Sequence, residues 1–218
     1  MPFRSSVASP NKSFKADASG AALTPTLGGN TPIPEHFPVI TISPYDANWP
    51  LAFTAEAKSI RQALGSSALR IEHVGSTSVP GLAAKPVIDI QVSVSELSSI
   101  ASLGSALASI GYVHVPLGEF DFVYPFFQKP AEWPASHHVH LCAAGGEQER
   151  KHLAFRDFLR SNPLAAGQYL ALKRQLAASH HGNTMESREQ YSLAKSSFVA
   201  SILEQAFREG YPHARPAT

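Results

Sequence analysis

The segment "HVGSTSVPGLAAKPVIDIQV", residues 73–92, decides the fold and carries the side chains best suited to chemistry. Residues 86–94 form a β-branched run that is typical of a buried strand. Side chains alternate across a strand, so Ile88 and Ile90 share one face while Asp89 and Gln91 share the other. The segment therefore predicts a core strand with one polar face, entered through a loop rich in glycine and proline.

The loop that precedes this strand has the composition of a phosphate site. Glycine at position 75 lets the backbone approach a ligand closely, and successive N–H groups in such a turn form an anion-binding nest. Ser76, Thr77 and Ser78 add hydroxyl groups, and Lys85 adds a cation for phosphate charge. The alternative is that Gly-Ser and Pro-Gly only make a stiff connection. The loop is neither G-x-x-x-x-G-K-[ST] nor G-x-G-x-x-G.

Asp89 is an acid in the middle of a predicted core strand. A carboxylate there is suited to hold a divalent metal ion that bridges phosphate oxygens. The alternative is that Asp89 caps a neighbouring group or pairs with an arginine.

Outward from this segment, apolar periodicity and turn residues predict strands first and helices at the end. Together they indicate an α+β domain with a mixed sheet flanked by helices and a helical C-terminal part. The predicted strands are 39–43, 68–74, 86–94 and 137–143, with "YVHV" and "FDFVYPFF" as further candidates. The first predicted helix is capped by Asp46 or Asn48 and runs to about Leu64. The second runs from the cap Ser95 to Gly111, and three more span 147–160, 164–179 and 187–208.

The chain divides by composition into a tail and a domain. Residues 1–38 lack periodic apolar positions and predict a disordered N-terminal tail; their composition also weakly resembles an organelle transit segment. Residues 39–208 are the predicted domain, with 39–146 as sheet core and 147–208 as helical part. Residues 209–218 are predicted to be a flexible C-terminus.

Composition narrows the classes of partner. Eighteen Lys and Arg against 17 Asp and Glu give no strong field toward nucleic acid or a membrane surface. No apolar run reaches the roughly 18 residues that span a bilayer. The single cysteine, Cys142, forms no internal disulfide, which suits a reducing, cytoplasmic location.

Two histidines on another predicted strand suggest a metal site. His138 and His140 stand at i, i+2 in strand 137–143 and so share one face. If that strand lies beside Asp89, the three residues form a ligand set for a transition metal. The alternative is a pair of hydrogen-bonded sheet histidines.

Beyond residues 73–92, the segments "ITISPYDANWPLAF", "HHVHLC", "HLAFRDFLRSNPLAAGQYLALK" and "YSLAKSSFV" extend a resemblance over about residues 39–205. The chain resembles the GrpB family, whose members resemble the nucleotidyltransferase superfamily. The resemblance implies a Gly-Ser pair near a triphosphate, matched by Gly75 and Ser76. It also implies two acids spaced D-x-[DE] and a third on another strand, which together hold two metal ions. Asp89 matches the first acid, but Gln91 stands at the second.

The resemblance also concerns helical residues, because in that fold helical Lys and Arg side chains grip phosphates in the cleft. It implies that Arg156 in "FRDFLR" and Lys173 in "YLALK" reach the cleft. His152, Arg156 and Arg160 are spaced as one basic stripe on their helix. The alternative is a solvated face or ion pairs with acids such as Asp157.

Three functions follow from these residues. The first is a nucleotidyltransferase-like enzyme that binds a nucleoside triphosphate and Mg²⁺ or a transition metal, with Ser76 and Asp89 catalytic, and transfers a nucleotidyl or related group to an unknown acceptor. The second is a non-catalytic nucleotide-binding or protein-assisting module that keeps the cleft but has lost the acids, and Gln91 is the feature that favours it. The resemblance agrees with an assisting role, because one GrpB branch is fused to dephospho-coenzyme A kinase. The third is other chemistry at the histidine–aspartate site. A nucleotide or other phosphate-bearing small molecule is the expected partner, and a protein partner is compatible.

Overall fold

A computed structural model describes residues 40–97, 100–132, 134–180 and 185–213, without the side chains of Phe120, Met185, Glu186 and Arg188. The predicted tail, 1–38, lies outside these residues. The strands are β1 (Arg70–Val74), β2 (Ile88–Val94), β3 (Val113–His114), β4 (Phe126–Lys129) and β5 (His137–Ala143). The helices are α1 (Trp49–Leu64), α2 (Ile100–Ala108), α3 (Glu147–Ser161), α4 (Pro163–Ser179), α5 (Met185–Leu193) and α6 (Ser196–Arg208).

The five strands form one mixed sheet in the order β1-β2-β5-β4-β3. Only the central pair, β2 and β5, is parallel; the other three pairs are antiparallel. In the parallel pair Asp89 is the partner of His138, and Gln91 is the partner of His140. The predicted α+β class with a mixed sheet flanked by helices is confirmed.

The two faces of the sheet differ as the alternation in β2 predicts. The apolar face packs against α1 and α2 in one core cluster that includes Ile60, Ile90, Leu107 and Leu141. The opposite face carries Asp89, Gln91 and Ser93, and α3 lies over part of it, because Glu149 and His152 bond to Ser93 and Gln91. A second apolar cluster joins α3, α4 and α6.

Most predicted element bounds lie within a few residues of the structure, and three predictions differ. Residues 39–43 contribute only one bridge, between Ser43 and Ala84. The candidate strand "FDFVYPFF" splits into a 3₁₀ turn at Gly118–Phe122 and strand β4. The predicted helix 187–208 is two helices, because a turn at residues 194–195 separates α5 from α6.

The predicted flexible C-terminus, 209–218, is described as far as residue 213. Tyr211 folds back onto α6, where its backbone N–H donates to the carbonyl of Ala206. Its ring also packs edge-on against Phe158 of α3 at 5.6 Å. This part of the C-terminus therefore contributes to the helical core.

Candidate functional site

The loop after β1 is built against Asp89. Gly75 has φ 68°, and a Cβ at this position would lie 2.9 Å from Cγ of Asp89 and closer still to Oδ2. Val74 is the register partner of Asp89, so antiparallel pairing brings the start of the loop directly beside the carboxylate. Glycine is required here for both its backbone conformation and its missing side chain.

The three hydroxyl residues of the loop have different places. Thr77 is buried; its hydroxyl donates to the carbonyl of Val87 and accepts from Nε2 of His73 at 3.0 Å. Burial lowers the pKa of His73 to about 4, so this ring is neutral. Ser78 donates to the carbonyl of Gly75 at 2.6 Å. These two hydroxyls therefore brace the loop, whereas Ser76 lines a cleft and hydrogen-bonds Tyr169 of α4.

Asp89, His138 and His140 come together on the polar face, as the strand alternation predicts. Oδ1 of Asp89 lies 3.0 Å from Nδ1 of His138 and 3.8 Å from Nε2 of His140. Burial acts to raise the pKa of Asp89, but the hydrogen bond from His138 and the nearby imidazole of His140 outweigh it and hold that pKa well below its usual range. The carboxylate is therefore ionised and still partly exposed, at 29% of its side-chain area.

This cluster has the donor chemistry of a metal site. One ligand atom from each of Asp89, His138 and His140 lies within 4.8 Å of the others. Two imidazole nitrogens and one carboxylate oxygen suit a transition metal better than Mg²⁺, which prefers oxygen ligands. Three protein ligands also leave coordination positions for solvent or substrate. The residues present therefore fit one ion of the transition-metal class.

A cleft of about 670 Å³ opens over Asp89 and His138. Its wall carries Ser76, Lys85 and Lys173 together with Lys195, and its rim is apolar at Ile40, Val115, Leu117 and Phe126. Thr77 and Glu189 also line it. The cleft is thus lined both by a carboxylate and an imidazole, those of Asp89 and His138, and by the amino groups of three lysines.

Two of these lysines are largely buried. Lys173 is 2% exposed; its Nζ donates to the carbonyl of Ala83 at 2.6 Å and lies 4.8 Å from the ring centroid of Tyr169. Nζ of Lys195 lies 4.4 Å from the ring centroid of Tyr191. Burial lowers the pKa of Lys173 to about 7 and that of Lys195 to about 8. An anion in the cleft would favour the protonated form of both amines.

Arg156 has another place than the resemblance implies. It is 1% exposed and does not line the cleft. Its guanidinium bonds Glu72 of β1 at 2.9 Å, Asp157 at 2.7 Å and the carbonyl of His73 at 3.1 Å. Arg156 therefore ties α3 to β1, away from the cleft. The stripe it shares with His152 and Arg160 faces the sheet and the loop, since Arg160 donates to the carbonyl of Ser78.

Gln91, at the position of the second acid, is covered. Its side chain is fully buried, and Oε1 lies 2.8 Å from Nδ1 of His152 on α3. An ionised carboxylate buried here would be costly without a cationic partner. Burial lowers the pKa of His152 to about 4, so that ring does not supply the positive charge. The second acid of a two-metal site has no place at this position.

Sequence reasoning left two groups out of the predicted site. Lys195 was visible only through its i, i+4 spacing from Tyr191, a pattern equally typical of a solvated helix. Tyr124 stands out in the sequence only as an aromatic residue within the candidate strand "FDFVYPFF". In the structure Tyr124 stacks on His140, with ring centroids 4.9 Å apart.

No helix in the described part of the chain is long and apolar enough to cross a membrane.

A family model and two relatives of this chain all point to the same protein family. The family model described as GrpB protein matches residues 39–205. A UPF0157 protein of Halalkalibacterium halodurans is 38% identical over 172 residues, which cover 78% of this chain and 84% of that protein. The crystal structure of GrpB from Enterococcus faecalis is similar with a TM-score of 0.67 and 36% identity, covering 78% of this chain and 98% of that one.

A longer relative contains a similar region. The dephospho-CoA kinase of Mycolicibacterium paratuberculosis is 29% identical over 198 residues, which cover 80% of this chain and 46% of that protein. The matching region of that kinase is therefore less than half of its length. From the family model and the two relatives that match most of their own length, this chain belongs to the GrpB family.

Proposed function

We propose that the cleft binds a nucleotide, or another phosphate-bearing small molecule, together with one divalent metal ion held by Asp89, His138 and His140. The observation that carries this proposal is that Asp89 and His138 line one cleft together with Lys85, Lys173 and Lys195, while His140 lies beside Asp89 in the same cluster. A metal cation and several amines complement the separate oxygens of a di- or triphosphate.

Each part of the chain has a role in this proposal. Asp89 stays ionised and supplies the charged ligand, while the neutral nitrogens of His138 and His140 complete the set. Lys85, Lys173 and Lys195 offset phosphate charge, and the side chain of Ser76 contributes a hydroxyl at the cleft wall. A bound ion would polarise a phosphate oxygen and favour attack at phosphorus. In that case Asp89 and Ser76 are the catalytic residues, and a nucleotidyl or related group is transferred.

The second candidate is binding without transfer. It is favoured by Gln91, which is buried under α3 where the superfamily implied by the resemblance carries a second acid. In such a module the cleft holds a nucleotide and the domain assists a protein, as the kinase relative suggests.

Isothermal titration calorimetry separates these proposals from a purely structural cluster. The wild-type chain is titrated with ATP, GTP and CTP in the presence of Mg²⁺, Mn²⁺ or Zn²⁺. We expect binding that depends on the metal and that Asp89→Asn abolishes. Asp46→Asn is the matched control, because Asp46 is exposed and outside the cleft. The absence of binding with every pair would overturn the proposal.

Release of pyrophosphate from the bound nucleotide then distinguishes the two candidates. Release that Asp89→Asn and Ser76→Ala both remove supports transfer. Tight, metal-dependent binding with no release supports the module. Activity of a dephospho-CoA kinase measured with and without this chain tests the assisting role, which predicts a higher activity when the chain is present.

A further inference from the structure

The ring of His140 packs against two aromatic rings, those of Tyr124 and Phe126. Tyr124 stacks on one side, with centroids 4.9 Å apart and planes 14° apart. Phe126 lies 5.0 Å away at 29° and also contacts His138 edge-on at 4.9 Å. Stacking of this kind fixes the plane of the imidazole, and it leaves Nε2 directed toward Asp89.

Tyr124 is itself held by a short chain of hydrogen bonds. Its hydroxyl lies 2.8 Å from Nε2 and 3.0 Å from Nδ1 of His152, and Nδ1 of His152 lies 2.8 Å from Oε1 of Gln91. A carbonyl oxygen only accepts, so Nδ1–H of His152 donates to Gln91, and Nε2 accepts from the phenol. One tautomer of His152 therefore satisfies both bonds. Hydrogen bonds thus connect Gln91 on β2, through His152 on α3, to Tyr124, whose ring stacks on His140.

Gln91 approaches His140 from a second direction. The two residues are register partners in the parallel strands β2 and β5, with side chains on the same face. Nε2 of Gln91 and Nδ1 of His140 are buried and have no hydrogen-bond partner among the described residues. If Nε2 of His140 ligates a metal, its Nδ1 carries the ring proton, and Nδ1 and the Gln91 amide nitrogen are both donors, so Gln91 acts on His140 through His152 and Tyr124 and not through a direct hydrogen bond.

We propose that Tyr124, His152 and Gln91 are positioning residues that fix the orientation of His140 as a metal ligand. The proposal rests on the metal site proposed above and assigns its supporting residues. Groups that orient a ligating histidine typically change metal affinity about 10–100-fold when they are removed. Gln91 stands where the pattern has a second acid, and this proposal gives it a role: it hydrogen-bonds His152, which in turn hydrogen-bonds Tyr124.

Cobalt binding tests this proposal without any assay of activity. Co²⁺ is titrated into the wild-type chain, Tyr124→Phe and His152→Phe, and the visible d–d absorption is recorded. Tyr124→Phe keeps the stacked ring and removes only the hydroxyl. We expect both variants to bind Co²⁺ about 10-fold or more weakly and to show an altered absorption band, because His140 is no longer held in one orientation.

Two further variants separate positioning from loss of structure. Tyr211→Phe removes a hydroxyl from a tyrosine that packs on Phe158 outside the cleft, and it should match the wild type. His152→Gln can still donate to Gln91 and accept from Tyr124, so it should recover part of the affinity and the wild-type band.

The outcomes are distinguishable. If the wild type binds Co²⁺ and both phenylalanine variants bind it with the same affinity and band, the positioning role is overturned while the metal site stands. If the wild type and Asp89→Asn alike bind no Co²⁺, the metal site fails and the positioning role fails with it.

Discussion

Gly75 lies in van der Waals contact with the carboxylate of Asp89, so the first residue of the loop and the acid of the strand form one unit. The contact exists because Val74 and Asp89 are register partners and the chain turns away at once with a positive φ. The loop and the acid, which are 14 positions apart in the sequence, are therefore fixed relative to each other by backbone geometry.

Substitution of Gly75 tests this unit. An alanine must adopt φ 68° and ψ −171°, a backbone region almost exclusive to glycine that costs about 1–3 kcal/mol, and its Cβ must also displace Asp89. Gly81→Ala is the matched control, because Gly81 has φ 77° and open space around it. We expect Gly75→Ala to lower the free energy of unfolding in urea by more than Gly81→Ala does and to abolish metal binding. Equal effects of the two variants would show that the contact is unimportant.

Removal of Arg156 should damage stability rather than ligand binding. The guanidinium is buried, so Arg156→Ala removes two ion pairs, with Glu72 and Asp157, and the hydrogen bond to the carbonyl of His73, at a cost of about 3–5 kcal/mol. Lys151→Ala, at the exposed pair with Glu147, is the control and should leave stability nearly unchanged. Urea unfolding measures both. The prediction would be wrong if Arg156→Ala lowered the affinity for nucleotide and left the stability unchanged, because Arg156 would then act in ligand binding.

Binding of a phosphate ligand should weaken above neutral pH. The pKa of Lys173 is lowered to about 7 and that of Lys195 to about 8, so both amines are mainly protonated near pH 6 and mainly neutral near pH 9. An anionic ligand raises both pKa values, and the complex takes up protons near pH 8. Asp89, Glu189, Lys85 and Arg174 are the other charged groups that face or act on these amines.

Calorimetry in buffers of different ionisation enthalpy measures this proton uptake. Lys173→Gln and Lys195→Gln should each reduce the uptake and flatten the dependence of affinity on pH. An affinity that is constant from pH 6 to pH 9 in the wild type would contradict the role of the two amines.

The position of Gln91 predicts the number of metal ions. Gln91→Glu restores an acid to the pattern, but the side chain points under α3 at the neutral His152. We expect this variant still to bind one ion and to lose about 1–3 kcal/mol of stability at neutral pH, because a carboxylate is then buried with only a neutral imidazole as its partner. Gln91→Met, which carries no charge, is the control for volume. Metal analysis by mass spectrometry counts the ions, and a count of two per chain would reverse this interpretation.

The local features of the site could be predicted from the sequence, and the long-range ones could not. Alternation in 86–94 and 137–143 places Asp89, His138 and His140 on like faces, and the adjacency of β2 and β5 brings them together. The partner of Arg156, Glu72, is 84 positions away, and nothing in the helix pattern distinguishes a stripe that faces the sheet from one that faces solvent. The hydrogen bonds by which Thr77 and Ser78 brace the loop could not be predicted either, because the sequence pattern does not show where a hydroxyl group points.

The helical part shows a second limit. Periodicity over 187–208 is continuous enough to predict one helix, whereas the chain turns at residues 194–195 and directs Lys195 to the cleft. A break of this kind depends on what the two helices pack against. Tyr191 belongs to a small cluster with Ile40 and Ala177, while Ile202 and Ala206 belong to the cluster with α3.

The parallel pairing of β2 with β5 has a consequence for hydrogen exchange. The ligand side chains belong to the two central strands of the sheet, whose amide protons should exchange only when the whole domain unfolds. Lys195 instead follows α5, a short helix with several exposed residues, where exchange through local opening is expected. We therefore expect the segment that carries Lys195 to exchange through local opening while the strands that carry Asp89, His138 and His140 stay closed.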